Sequence, residues 1–194
     1  MNFAAANEMT AKWEAQKAAR KFAAQALIAA HPHLIPAGDR VTTAAKNIRI
    51  ELKRVFPSVK FAVRTSRYSG GESIRVCWTD GPTSDQVEAI INKYEAGSFD
   101  GMTDSYDYRK DHAWTDAFGD ARHIFAERSN SEQAVLSAAR RVKNRLGGIS
   151  ESVEEIAALW AKGDCYRIKQ SGGCDVAAAM SRAISRHTYC IEAA

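Results

Sequence analysis

Val41 to Tyr94 runs VTTAAKNIRIELKRVFPSVKFAVRTSRYSGGESIRVCWTDGPTSDQVEAIINKY, and its hydrophobic period changes twice. Val41, Ala45, Ile48, Leu52 and Val55 recur at helical spacing, with Lys46, Arg49 and Lys53 on the opposite face. Thr42 or Thr43 can cap this helix and Pro57 stops it. Lys60 to Thr65 then alternates, Phe61 and Val63 against Lys60 and Arg64, as a half-buried strand does. Ser73 to Thr79 repeats the pattern, with Ile74, Val76 and Trp78 inward and Arg75 and Cys77 outward. Ser69-Gly70-Gly71 between them supplies a permissive turn, so the pair predicts a β-hairpin with a somewhat long loop. After Asp80-Gly81-Pro82 the helical period returns: Thr83 and Gln86 are spaced as a capping box ahead of Val87, Ile90, Ile91 and Tyr94, and Gly97 closes the run. Helix, β-hairpin, helix is the expected order, and the class is α+β.

Outward from this stretch the signals are mostly helical. Asn7 to Ala30 is Ala-rich, gathers Lys12, Gln16, Lys17, Arg20 and Lys21 on one side, and ends at Pro32 and Pro36. Ser98 to Gly119 has neither period, is rich in Asp, Gly and aromatics, and predicts an ordered loop with short strands and the boundary between lobes. Arg122 to Glu127 predicts a strand. Ser129 and Glu132 are spaced as a capping box for a helix with Val135, Ala138, Val142 and Leu146 inside, ending at Gly147-Gly148. Ser152 and Glu155 repeat the signal before Ile156 and Trp160. A strand at Tyr166 to Lys169 and a last helix carrying Val176, Met180 and Ile184 complete the reading. The expected division is a helical segment at 1–40, an α+β domain at 41–108, and a mostly helical lobe with one or two short strands at 109–194.

With 45% hydrophobic and 26% charged residues the composition is that of a globular chain, not a disordered one. Its longest apolar run, Phe22 to Ala30, is too short to span a membrane and is broken by Gln25. Glu8, Lys12, Glu14, Lys17, Arg20 and Lys21 leave no apolar centre for a signal peptide, so a cytoplasmic location is expected, with Cys77, Cys165, Cys174 and Cys190 as reduced thiols.

No Walker loop, dinucleotide fingerprint, nucleophile elbow or His-Glu-x-x-His run is present. Cys165, Cys174, His187 and Cys190 have zinc chemistry but not the close ligand pairing of structural sites. Cys174 sits where a helix dipole would favour a thiolate, yet His187 is more than three turns away and could not serve as its base. Asp100, Asp104 and Asp107 lack the alternating positions and terminal Glu of a calcium loop. The expectation is a protein that is not an enzyme and needs no cofactor and no metal.

Charge is the stronger signal. From Arg40 to Arg75 nine basic residues face only Glu51 and Glu72, whereas from Asp80 to Asp120 ten acidic residues are opposed by Lys93, Arg109 and Lys110. The candidate binding residues are Lys46, Arg49 and Lys53 on the helix, Lys60, Arg64 and Arg75 on the outer hairpin face, and Arg67 with Tyr68 at its tip. Such residues suit phosphates, and a charged face is also what ordinary solvation requires.

Ile48 to Tyr108 resembles the large polyvalent protein-associated domain 29 family in the order of its features: basic helix, Phe56-Pro57, strand Lys60-Phe61-Ala62-Val63, Gly70-Gly71 hairpin, turn Trp78-Thr79-Asp80-Gly81-Pro82, helix, and loop Phe99-Asp100-Gly101-Met102. The resemblance implies an accessory of phages and conjugative elements, many of which counter host defences, and brings no catalytic residues. The expected function is therefore non-enzymatic counter-defence: binding and inhibiting a host defence protein or ribonucleoprotein complex, such as a CRISPR-type nucleic-acid-guided assembly. The other class is a DNA- or RNA-binding accessory protein of a phage or conjugative element. Neither involves a membrane.

Overall fold

The computed structural model describes residues 3–102, 104–108, 113–169, 172–173 and 175–186. Contacts divide the chain into two compact units, one of Met1–Val76 with Glu88–Ala126 and one of Cys77–Val87 with Glu127–Ala194. The class is α+β, as the changes of hydrophobic period predict.

In the first unit, α1 (Phe3–Ala30) is exposed on every face from Glu8 to Lys21, with Trp13 62% exposed and Phe22 75%. Its helicity there rests on alanine content; burial begins only near Ala24. The helix α2 (Arg40–Val55) follows a Pro-containing connection that Asn47 pins from below. Its amide accepts from Ile35 N–H at 2.8 Å and donates to the carbonyls of Ile35 at 2.8 Å and Phe118 at 3.1 Å. The α2 N-cap is Asp39, not Thr42 or Thr43: the Thr42 hydroxyl instead donates to the Asp39 carboxylate. Val41, Ala45, Ile48 and Leu52 are buried as the stripe requires, while Val55, the last helical residue, is 53% exposed because the chain leaves the core there.

The hairpin forms from β1 (Ala62–Tyr68) and β2 (Gly71–Thr79), joined by Ser69-Gly70 alone, a tighter turn than expected. Val63, Ile74, Val76 and Trp78 are buried, and Phe61 is half-buried. The capping box of α3 (Ser84–Ile91) forms, Thr83 N–H donating to Gln86 Oε1 at 2.9 Å and Gln86 N–H to Thr83 Oγ1 at 3.4 Å. A 3-10 turn, Asn92–Tyr94, prolongs it. Gly97 is not the helix stop but the first residue of β3 (Gly97–Asp100), which pairs antiparallel with β4 (Ser105–Tyr108) in the register Gly97↔Tyr108. A Cβ at Gly97 would lie 2.1 Å from the Asp107 carbonyl oxygen, so only glycine fits. The expected short strands within 98–119 are thus present, together with a short helix, α4 (Ala113–Phe118), that no period announces.

The strand predicted at 122–127 is β5 (His123–Ser129), and the sheet order is β1-β2-β5. Cys77 Sγ meets Glu127 Oε2 at 3.6 Å and Thr79 Oγ1 meets Ser129 Oγ at 2.9 Å. The two contacts advance together, so β5 runs parallel to β2, as a crossover connection through α3 permits.

In the second unit, α5 (Glu132–Leu146) is capped by Ser131, whose Oγ accepts from Ala134 N–H at 3.2 Å. The expected Ser129–Glu132 box does not form because Ser129 still belongs to β5 and donates to the Trp78 carbonyl at 3.1 Å. Ser152 and Glu155 do form a box, at 2.7 and 3.1 Å, opening α6 (Val153–Lys162). The strand expected at Tyr166 to Lys169 is absent. Cys165–Arg167 is a 3-10 turn in which Ile168 N–H bonds to the Cys165 carbonyl at 3.2 Å, so the apolar alternation buries Ile168 without any strand partner. With α7 (Val176–Arg186) these helices enclose Ala138, Val142, Ile156, Cys165, Val176, Met180 and Ile184.

Candidate functional site

The hairpin distributes the seven candidate cations unequally. Arg49 reaches back across the helix and donates to the Val63 carbonyl, so it ties α2 to β1 rather than pointing away from it. A two-residue turn sets Tyr68 opposite Gly71, hence Arg67 opposite Glu72 and Arg64 opposite Arg75. The Arg67–Glu72 ion pair, 3.2 Å, follows that register. Arg67 shares its face with Val63 and also grips both Asp39 oxygens, at 2.6 and 2.7 Å. The Asp39 carboxyl is held below its ordinary value, first by the Thr42 hydroxyl, then, against a desolvation effect, by Arg67 and the more distant Lys46. Arg67 is therefore part of the frame.

Lys46, Lys53, Lys60, Arg64 and Arg75 are all exposed. Among the described residues Lys53, Lys60 and Arg64 have no ionic partner. Arg64 and Arg75 lie on the outer sheet face, and the parallel register of β5 carries Phe125 and His123 onto that face. Phe125 is 47% exposed and its ring stacks on His123, centroids 6.2 Å apart and planes 23° from parallel. Glu127 lies on the same face, two residues further along. The sequence reading named neither aromatic, because β5 joins the hairpin from some fifty positions away; the alternation His123, Phe125, Glu127 is the signal that could have found them.

The acidic section behaves differently from its composition. Asp80 and Asp120 are buried, Asp120 beneath Arg40, and Asp116 takes a two-pronged ion pair from Arg20 at 2.8 to 3.0 Å. Glu95 caps Ile124 N–H at 3.3 Å. These four carboxylates serve the fold, whereas Asp85, Asp104 and Asp107 of the same section are exposed.

Behind the hairpin, Glu51 accepts from Tyr94 Oη and Lys93 Nζ, both at 2.6 Å, and Lys93 lies 4.1 Å above the Trp114 ring. Trp114 also packs against Phe118 at 4.8 Å and His31 at 5.1 Å. This cluster holds α1, α2 and α4 together and contains no nucleophile beside a base. Cys77 and Cys165 are free thiols; Cys165 is buried, donates to the Ile156 carbonyl at 3.6 Å, and has its pKa raised by burial and then by Asp164 and Asp175. Cys174, His187 and Cys190 lie outside the described residues. Among the described residues no group of His, Cys, Asp and Glu side chains converges to hold a metal ion, and no helix is long and apolar enough to cross a membrane.

Fold and surface together define an α+β helix-hairpin-helix module with a cationic outer face. The chain belongs to the family of large polyvalent protein associated domain 29, whose model matches residues 40–137, from the first residue of α2 into α5. It is accordingly a mobile-element-associated accessory protein. No curated protein and no solved structure matches the chain.

Proposed function

We propose that this accessory protein acts by binding rather than catalysis, in the cytoplasm of the bacterial host, where it engages and blocks a nucleic-acid-guided defence complex of the CRISPR type. The observation that supports this reading most is the exposed positive charge in the family-matched region: among the described residues Lys53, Lys60 and Arg64 face solvent without ionic partners, while Asp80, Asp116 and Asp120 are internal or paired. Exposed cations of this kind steer a protein towards phosphate-rich or acidic surfaces. A ribonucleoprotein offers both. Mimicry of nucleic acid by the acidic section is the weaker mode, because Asp80 and Asp120 are buried and Asp116 is paired, which leaves Asp85, Asp104 and Asp107 as exposed carboxylates. The test is plasmid establishment in a defence-competent bacterium expressing the wild-type chain or Lys53→Glu/Lys60→Glu/Arg64→Glu. Protection by the wild type and its loss in the variant supports the reading; no protection by either overturns it.

A second reading, binding of DNA or RNA itself, is favoured by the outer sheet face, where the exposed ring of Phe125, stacked on the half-buried His123, shares the face with Arg75 and Arg64. Affinity for a labelled oligonucleotide would then fall steeply with salt and with Phe125→Ala.

A further inference from the structure

A second cationic feature lies in the second unit. The C-terminal halves of α5 and α7 flank a groove of about 750 Å³, within the size range of small-ligand sites. Each helix contributes two arginines one turn apart, Arg141 with Arg145 and Arg182 with Arg186, all four exposed. Among the described residues no carboxylate lines the groove, and its apolar lining includes Val142, Leu146, Ala179 and Ala183. Among the described residues none of the four arginines has an ionic partner.

Two simpler explanations cover only part of this. Arg145 and Arg186, in the last turns, complement the negative ends of their helices. Arg141 and Arg182 sit one turn further in, where that effect fades, and like charges four residues apart on one helix repel. Ordinary solvation would be served as well by mixed signs; here two like-charged pairs face each other across one groove.

We propose that this groove is a phosphate-binding site for nucleotide units, with the four guanidinium groups taking phosphate oxygens and the apolar lining taking sugar and base. Arginine forks match phosphate oxygens two at a time. The spacing within each pair, about 6 Å along the helix axis, suits successive phosphates. The site does not depend on the hairpin surface, so its failure and the failure of the counter-defence reading are separable.

The test uses the full chain, with fluorescence anisotropy of a labelled single-stranded oligothymidine of about 12 nucleotides and direct titration with ATP as the free-nucleotide arm. Arg141→Ala/Arg182→Ala should weaken whichever probe binds by about tenfold or more, and for the oligonucleotide should lower the salt slope by about 1.4, two phosphate contacts at about 0.7 each. Arg141→Lys/Arg182→Lys, which keeps charge but loses the forks, should fall between. Arg140→Ala, exposed on the same helix but outside the groove, should change little. Circular dichroism checks that the variants are folded. Oligonucleotide binding without ATP binding assigns the site to a strand, and binding of both assigns it to a nucleotide unit. Absence of binding to either probe at low salt, or a groove variant no weaker than Arg140→Ala, overturns the proposal.

Discussion

Tyr94, with no exposed surface, donates its hydroxyl to Glu51 at 2.6 Å, and the same carboxylate receives Lys93 at 2.6 Å through its other oxygen. Burial and then the Glu51 carboxylate raise the phenol's pKa far above its ordinary value of 10.0. Tyr94→Phe should cost ~2 kcal/mol at neutral pH, the contribution of a hydrogen bond to a charged group. Above pH 10 only the unfolded chain releases this proton, so the wild type should lose about 1.4 kcal/mol of stability per pH unit that the Phe variant does not. Urea unfolding of both proteins between pH 8 and 11 measures the gap, which should narrow as pH rises; a constant gap would show that the phenol ionises equally in both states.

Asn47 is fully buried and makes three hydrogen bonds to main-chain groups of Ile35 and Phe118. Asn47→Leu removes all three and leaves those groups buried, so a loss of ~3 kcal/mol is expected. In a thermal melt that corresponds to about 6 to 12 °C for a chain of this size. A shift under 2 °C would mean that water or a rearranged loop satisfies those groups.

Gly119 has φ +83, and a Cβ there would lie 2.3 Å from the Arg40 carbonyl oxygen in α2. Gly101 has open space around its Cβ position. Gly119→Ala should therefore cost ~3 kcal/mol or prevent folding, while Gly101→Ala stays within ~0.5 kcal/mol. Chemical denaturation of the pair checks this, and equal effects would contradict the assigned geometry at Gly119.

What the sequence revealed was local. The α2 stripe from Val41 to Leu52, the hairpin alternation from Val63 to Trp78 and the Thr83–Gln86 and Ser152–Glu155 boxes are set by neighbours within a few residues, and each is found where its period or spacing puts it, whereas Val55 is exposed and Lys60 and Phe61 precede the strand. Helix α4 escaped because six residues carry too little period; it is held by Trp114 and Phe118 meeting His31 and Tyr94, contacts made across long chain separations. Tyr166 and Ile168 alternate like a strand, yet no strand is there to pair with, and a 3-10 turn buries Ile168 equally well. At the candidate surface the residue types were legible but their partners were not. Charge counting could not know that Arg67 would clamp Asp39, that Arg49 would meet the Val63 carbonyl, or that Asp120 would lie under Arg40.

The most direct measurement is quantitative affinity capture from a defence-competent bacterium, using as bait the wild-type chain and Lys53→Glu/Lys60→Glu/Arg64→Glu, with captured proteins identified by mass spectrometry after nuclease treatment. Binding through the exposed cations of the family-matched region predicts that wild type enriches the subunits of one defence complex and that charge reversal reduces this by at least about tenfold, since three charges that favoured association then oppose it. Capture of no defence component, or equal capture by both baits, would contradict it.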